Sequence, residues 1–212
     1  MMISVSRPEF LCITDDQSGT ASYGGDQAWY AEEWNRMSGC GPTCAANVTA
    51  YLARTRPGLR TLYPGDAMTK RLFAQHMEEM FRFVTPGAMG LNRLDMFIEG
   101  MERFAASRGV RLIAHVFEVS GNMRRDRPPA DALTAFVREG LEADCPLAFL
   151  NLTNGRVKNL QSWHWITVTA AEAGEGTLVA TASDEGKDIR LDLRLWYLST
   201  RMHGGLIYYT EP

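Results

Sequence analysis

The order of secondary-structure patterns along this 212-residue sequence predicts an α+β fold. Helical spacing of apolar residues fills roughly the first two thirds, and short strand-like runs separated by turn residues dominate after Pro146. Because the helices precede most of the strands instead of alternating with them, the sheet is expected to be antiparallel. The sequence is 45% hydrophobic and contains no linker-like or repeated segment, so we expect a single domain over residues 1–212.

A helix is predicted to begin near Gly41, after an irregular stretch (1–39) that contains one short helical pattern at 26–37. Pro42 suits the first turn of a helix, where a missing backbone N–H costs nothing. Apolar side chains then recur every four residues, which places them on one face of the helix. The residues of this face are Cys44, Val48 and Leu52.

Three more helices and six strands are predicted further along the chain. The helices are indicated by apolar stripes at helical spacing with Pro or Gly near their ends, and they cover residues 69–84, 92–109 and 128–143. The strands are indicated by alternating or continuous apolar runs, and they cover residues 110–119, 147–153, 163–170, 177–183, 189–198 and 205–209.

Composition and charge exclude several classes of function. The net charge is −3, and the one basic cluster, at 123–129, is interpreted as a solvated loop, so nucleic acid is not expected as a partner. The N-terminus lacks the features of a signal peptide, and no apolar run is long enough to span a bilayer. We therefore expect a cytoplasmic protein that does not bind membranes. Four cysteines are too few for a disulfide scaffold in a chain of this length.

Cys40 has the sequence context of a nucleophile. It lies at the predicted start of a helix, where unpaired N–H groups and the positive end of the helix dipole favour a thiolate over a thiol. Gly39 and Gly41 flank it and allow a substrate to approach closely. A nucleophilic cysteine also requires a base, which is often a histidine.

His164 is the best placed of the four histidines to serve as that base. It opens the apolar strand WHWITVTA and can project from the end of a sheet into a cleft. A hairpin turn centred on Gly174 pairs His164 with Asp184, whose carboxylate would fix the tautomer and orientation of the imidazole. The candidate catalytic residues are Cys40, His164 and Asp184, and the candidate substrate-binding residues are Trp163 and Trp165.

Cys44 lies one helical turn beyond Cys40 and is interpreted as a small core residue. A redox role would require the two cysteines to cycle through a disulfide. A metal site would require two further ligands, which the sequence does not supply at a typical spacing. No metal ion and no organic cofactor is therefore expected.

Three motifs together, GCGPTCAANV, WHWITV and the dipeptide SD at 183–184, resemble those of papain-like cysteine peptidases, in particular the bacterial branch similar to bacteriocin-leader-processing peptidases. The resemblance implies a papain-like fold, in which a helical part with the nucleophile at a helix start packs on a C-terminal antiparallel sheet. In that family a Gln a short way before the cysteine helps to bind the oxyanion. Its usual position falls here on Trp34, so the neighbouring Asn35 and the more distant Gln27 are both candidates.

The resulting hypothesis is a cysteine-dependent peptidase or amidase that forms a thioester with a peptide or small amide substrate. Acyl transfer to another acceptor would use the same residues. The 39 residues before Cys40 are short for a pro-segment, so a free-standing enzyme is expected rather than a secreted zymogen. Two alternatives remain open, namely an inactive papain-like binding or scaffold protein and a thiol redox protein that uses Cys40 and Cys44.

Overall fold

A computed structural model describes residues 1–121 and 127–212 of the chain, so residues 123–126 of the predicted basic cluster lie outside the described residues. The α-helices are α1 (Glu33–Ser38), α2 (Cys40–Thr55), α3 (Lys70–Phe83), α4 (Leu94–Ser107), α5 (Ala130–Glu142) and α6 (Leu193–Ser199). Short 3-10 helices cover Pro8–Leu11, Gln27–Trp29 and Pro57–Leu62. No helix of the described ranges has both the length and the apolar character needed to cross a bilayer.

The strands form one large sheet and one small hairpin. They are β1 (Met2–Ser4), β2 (Cys12–Thr14), β3 (Ala21–Tyr23), β4 (Ile113–Val119), β5 (Leu147–Asn151), β6 (His164–Gly174), β7 (Thr177–Asp184), β8 (Lys187–Asp192) and β9 (Gly204–Thr210). The large sheet has the order β4-β9-β5-β6-β7-β8, and each neighbouring pair is antiparallel. The α+β class and the antiparallel sheet predicted from the sequence are therefore confirmed.

The central helix is α2, which contacts β5 and β6 of the sheet and, elsewhere on its surface, α3 and α4. All residues of this helix in the range 41–53 are buried, and several of them are alanines that allow the helix to approach its neighbours closely. This packing brings the first turn of α2 next to the end of the sheet where β6 begins.

The N-terminal stretch is more regular than the sequence indicated. β1 pairs with the part of β6 that extends beyond β5, and the β2–β3 hairpin lies outside the large sheet. The prediction of an irregular segment over 1–39 is wrong for these strands. Each strand has three residues, which is too short for an alternating pattern to stand out, and its pairing is a tertiary contact.

The run 189–198, predicted as one strand, contains the end of β8 and then the short helix α6. The side chain of Asp192 accepts a hydrogen bond from the Leu195 N–H at 2.8 Å and thereby caps the helix. Leu193, Trp196 and Tyr197 are buried at helical spacing. The prediction is wrong for the second half of this run, because an N-cap and three buried positions favour a helical turn over continued alternation.

Candidate active site

Cys40 is the first residue of α2 and is partly exposed. Gly39 joins α1 to α2 so tightly that a Cβ atom at this position would overlap the Tyr30 ring and the Asn35 carbonyl oxygen. This junction holds the Cys40 thiol at the amino end of a 16-residue helix, where free N–H groups and the helix dipole favour negative charge.

His164 is the first residue of β6, and Asp184 is the last residue of β7. His164 Nε2 donates a hydrogen bond to Asp184 Oδ1 at 2.7 Å, and the His164 side chain is only 7% exposed. On the other side of β6, the Asn151 side-chain amide donates to the His164 carbonyl oxygen at 3.3 Å. The prediction that Asp184 lies beside His164 on an adjacent antiparallel strand is confirmed.

The register between β6 and β7 differs from that of the symmetric hairpin predicted from the sequence. The loop consists of residues 175–176 rather than being centred on Gly174. Thr167 pairs with Ser183, whereas a turn centred on Gly174 would have paired it with Thr181. The predicted register is therefore wrong by two residues near the site, although it indicated the carboxylate that hydrogen bonds to His164.

An irregularity of the β-bulge type within 168–170 shifts the register by one residue along the hairpin. If the register of the turn continued unchanged, Thr167 would pair with Asp184. The shift pairs Thr167 with Ser183 instead. Asp184 therefore lies one residue closer to His164, which is the first residue of β6.

A tight turn fixes the carboxylate at the end of β7. Asp184 pairs with Lys187, and the two residues between them, Glu185 and Gly186, have φ angles of 46° and 74°. Left-handed conformations at both positions are typical of a type I′ hairpin turn. The Gly186 N–H also donates to the Gly25 carbonyl oxygen at 3.1 Å, which ties this turn to the loop before the Gln27–Trp29 helix.

Two neighbours determine the charge of His164. Burial alone lowers the pKa of this imidazole, but the hydrogen bond to Asp184 and the interaction with the Cys40 thiol outweigh burial and raise the pKa to about 10. His164 is therefore an imidazolium near neutral pH. A cation beside a thiol at a helix start is the environment in which cysteines become nucleophilic.

The three candidate catalytic residues and Gln27 line one cavity. Gln27 is the first residue of its short 3-10 helix, and its Oε1 atom is buried without a hydrogen-bond partner among the described residues. Asn35 lies on α1, outside this cavity, and its side-chain amide donates to Glu78 Oε2 at 3.3 Å. Of the two candidate oxyanion donors, only Gln27 lines the cavity that Cys40 also lines.

The two candidate substrate-binding tryptophans have different environments. Trp165 is buried, stacks on Phe97 with 4.4 Å between ring centroids, and donates from Nε1 to the Leu91 carbonyl oxygen, so it forms part of the cavity wall. Trp163 is 49% exposed and has a φ angle of 57°, which is unusual for a bulky residue. Only Trp163 is free to contact a substrate at the surface.

Cys44 is packed in the core. Its thiol donates to the Ile166 carbonyl oxygen and accepts from Thr167 Oγ1, both at 3.3 Å, so it links α2 to β6. Burial raises the pKa of this thiol to about 12. Within residues 1–121 and 127–212, no cluster of His, Cys, Asp and Glu side chains could hold a metal ion.

We expect Cys44→Ala to lower the free energy of unfolding by about 1–2 kcal/mol, because it removes a buried sulfur and its hydrogen bonds. Cys145→Ala is the matched control, since Cys145 is also buried and its sulfur accepts from the Tyr209 N–H. Denaturant unfolding measures the loss of stability, and the rate of Cys40 alkylation shows whether the nucleophile still reacts. Loss of Cys40 reactivity in folded Cys44→Ala but not in Cys145→Ala would favour the paired-thiol alternative.

Sequence reasoning missed Asn47, which lines the same cavity and lies two helical turns after Cys40 on α2. It is 2% exposed and hydrogen bonds to three different segments of the chain. The available signal was a polar residue seven positions after Cys40, on the helix face that carries Cys44.

No protein-family model and no curated protein matches this chain. Among solved structures, it is similar to the crystal structure of the Pseudomonas avirulence protein AvrPphB. The sequence identity is 12%, the TM-score is 0.35, and the alignment covers 85% of this chain and 96% of that chain. A likeness of this size carries no argument about the site, so the functional interpretation depends on the geometry described above.

Proposed function

We propose that this protein is a cysteine-dependent peptidase or amidase of the papain-like type, with Cys40 as nucleophile, His164 as acid and base, and Asp184 as the residue that orients His164. The observation that carries this proposal is one arrangement. A thiol at a helix start lines the same cavity as a buried imidazole, and the carboxylate at 2.7 Å helps to keep that imidazole charged.

The proposed first step is acylation. The Cys40 thiolate attacks the carbonyl carbon of a peptide or small amide, and the carbonyl oxygen becomes an oxyanion. When this intermediate collapses, the carbon–nitrogen bond breaks, and the proton on His164 moves to the departing amine. Because Nε2 is bonded to Asp184, Nδ1 is the ring nitrogen that remains for this transfer. The product is a thioester on Cys40.

Deacylation returns the enzyme to its starting state. Neutral His164 takes a proton from water as the water oxygen attacks the thioester carbonyl. The carbon–sulfur bond then breaks, releasing the acid and restoring the Cys40 thiolate beside the imidazolium. An amine in place of water gives acyl transfer, with the same residues in the same roles.

Two groups are proposed to stabilise the oxyanion, the Cys40 backbone N–H at the start of α2 and the side-chain amide of Gln27. Gln27 is preferred because it lines the cavity, whereas the Asn35 amide is already bonded to Glu78 outside it. Thiol–disulfide exchange requires an accessible thiolate. Cys44 is buried and burial raises its pKa to about 12, which counts against the redox alternative.

Alkylation by iodoacetamide followed over pH tests this proposal. Cys40 is expected to react rapidly near pH 6, where an ordinary thiol with a pKa of about 8.5 is almost fully protonated. Peptide mass mapping identifies the labelled residue, and exposed Cys12 serves as the internal control for an unactivated thiol. A burst of p-nitrophenolate from p-nitrophenyl acetate then reports acylation. Equal labelling of Cys40 and Cys12 at every pH would support the inactive scaffold instead.

A further inference from the structure

The buried amide of Asn47 connects three segments that meet behind Cys40. Its Oδ1 accepts a hydrogen bond from the Gly25 N–H at 2.9 Å. Its Nδ2 donates to Thr167 Oγ1 of β6 at 3.0 Å and lies 3.4 Å from Ser183 Oγ of β7. The orientation of the amide is fixed, because the Gly25 N–H can only donate and therefore requires the oxygen.

The loop that leads to Gln27 lies directly on this amide. A Cβ atom at Gly24 would overlap Ser183 Oγ and approach Asn47 Nδ2 to 2.9 Å, and the φ angle of Gly24 is 75°. A Cβ atom at Gly25 would approach the Phe73 ring to 2.7 Å. Two consecutive glycines therefore allow the backbone to pass between α2, α3 and β7 at a distance that other residues would not permit.

Gln27 follows this anchored backbone by two residues. The Asp26 side chain accepts from the Ala28 N–H at 2.8 Å and starts the short 3-10 helix that carries Gln27. Among the described residues, the Gly25 N–H is the last backbone group before the Gln27–Trp29 helix that hydrogen bonds to α2. Because Cys40 begins the same helix α2, Asn47 ties the candidate oxyanion donor and the nucleophile to one rigid element.

From these contacts we infer that Asn47 is a positioning residue, which sets the distance between the Gln27 amide and the Cys40 sulfur. This inference rests on the proposed function, since it assigns Gln27 to the oxyanion. An apolar residue at position 47 would leave the buried Gly25 N–H unpaired and free the loop to move. A displacement of about 1 Å at a catalytic group is enough to reduce its contribution severely.

A double-mutant cycle on the acylation burst with p-nitrophenyl acetate tests the inference. Gln27→Ala is expected to slow acylation by about 10²-fold, as the loss of one oxyanion donor does elsewhere. Asn47→Ala should reproduce most of that loss. The double variant should be no slower than Gln27→Ala within about threefold, because Asn47 acts through Gln27. Iodoacetamide alkylation of Cys40, which develops no oxyanion, should stay at the wild-type rate in all three variants.

Two variants separate positioning from stability. Thr49 lies on α2, as Asn47 does, and its side chain forms a buried hydrogen bond of 2.8 Å with His76 on α3. Thr49→Val removes that bond, so it should lose about as much stability as Asn47→Ala but leave acylation unchanged. Asn47→Asp has the same shape and keeps an oxygen towards the Gly25 N–H, so it should retain most acylation and serves if Asn47→Ala does not fold.

The outcomes distinguish this inference from the proposed function. The inference alone is overturned if the fold-losses in acylation rate of Gln27→Ala and Asn47→Ala multiply in the double variant. It is also overturned if Asn47→Ala is acylated at the wild-type rate. Slowing by Thr49→Val as large as that by Asn47→Ala would also overturn it. Absence of both acylation and selective Cys40 alkylation in the wild-type protein would overturn the proposed function and this inference together.

Discussion

Cys40→Ala is expected to abolish the acylation burst and all rapid alkylation while leaving the protein folded. The sulfur of Cys40 is the atom that forms and breaks the thioester, so no other group can replace it. The side chain is partly exposed at a helix start, and its removal should change the free energy of unfolding by less than about 1 kcal/mol. Burst amplitude, mass mapping and denaturant unfolding measure these three quantities on the same sample.

The matched control is Cys44→Ala, which removes a sulfur one turn further along the same helix. It should retain the burst although it is less stable, because Cys44 contacts the Ile166 and Thr167 side of β6. A residual burst in Cys40→Ala would mean that another residue is acylated. Loss of the burst in both variants, with folding intact, would indicate that the two thiols act as a pair.

Asp184→Asn is expected to reduce amide turnover at neutral pH. On the alkaline side of the pH profile, turnover should fall at a lower pH than in the wild type. Asp184 is a main reason why the pKa of His164 is raised to about 10, so amide in place of carboxylate should lower that pKa towards the ordinary value of 6.5. Turnover requires the imidazolium as the acid for the leaving amine, and it should therefore fall at a lower pH in this variant. His164→Ala removes the acid entirely and should cost about 10²–10⁴-fold.

Stability should show the same linkage. A group whose pKa is higher in the folded protein contributes stability that is fully present below its unfolded pKa and is lost as pH rises through its folded pKa. The contribution of His164 is thus present below pH 6.5 and is lost as the pH rises towards about 10. As the pH rises between these limits, the free energy of unfolding measured with denaturant should fall less in Asp184→Asn than in the wild type. Identical pH profiles of turnover and stability in the two proteins would exclude Asp184 as the partner that charges His164.

The parts of the site that the sequence predicted are those determined by local chemistry. Gly39 and Pro42 around Cys40 signal a helix start, and a run of apolar residues after His164 signals a strand. The hairpin formed by β6 and β7 indicates Asp184 as the neighbour of His164, although the predicted register is wrong by two residues near the site. The first two signals involve neighbours in sequence, and the third joins two strands that follow each other directly. The helix, the strand and the histidine–carboxylate contact are all present in the structure.

The parts that the sequence did not predict depend on contacts between distant residues. The irregularity at 168–170 shifts the β6–β7 register, and no residue pattern there marks it. The short β1 strand is defined only by its partner β6, and α6 is defined by the Asp192 cap and burial against the sheet. The sequence does not indicate a role for Asn47, because a polar residue within a buried helix cannot be interpreted without its three partners, which lie far away in the sequence.

The position of β9 has a consequence for how this protein reaches its folded state. This strand follows all the others in the chain, yet it lies inside the sheet between β4 and β5, and it pairs Thr210 with Ile113. Pairings between residues so far apart in sequence raise the contact order, which places folding towards the slow range of milliseconds to seconds. Until β9 is inserted, β4 and β5 each present an open edge that can pair with other chains. Losses during refolding should therefore come from aggregation through these two edges.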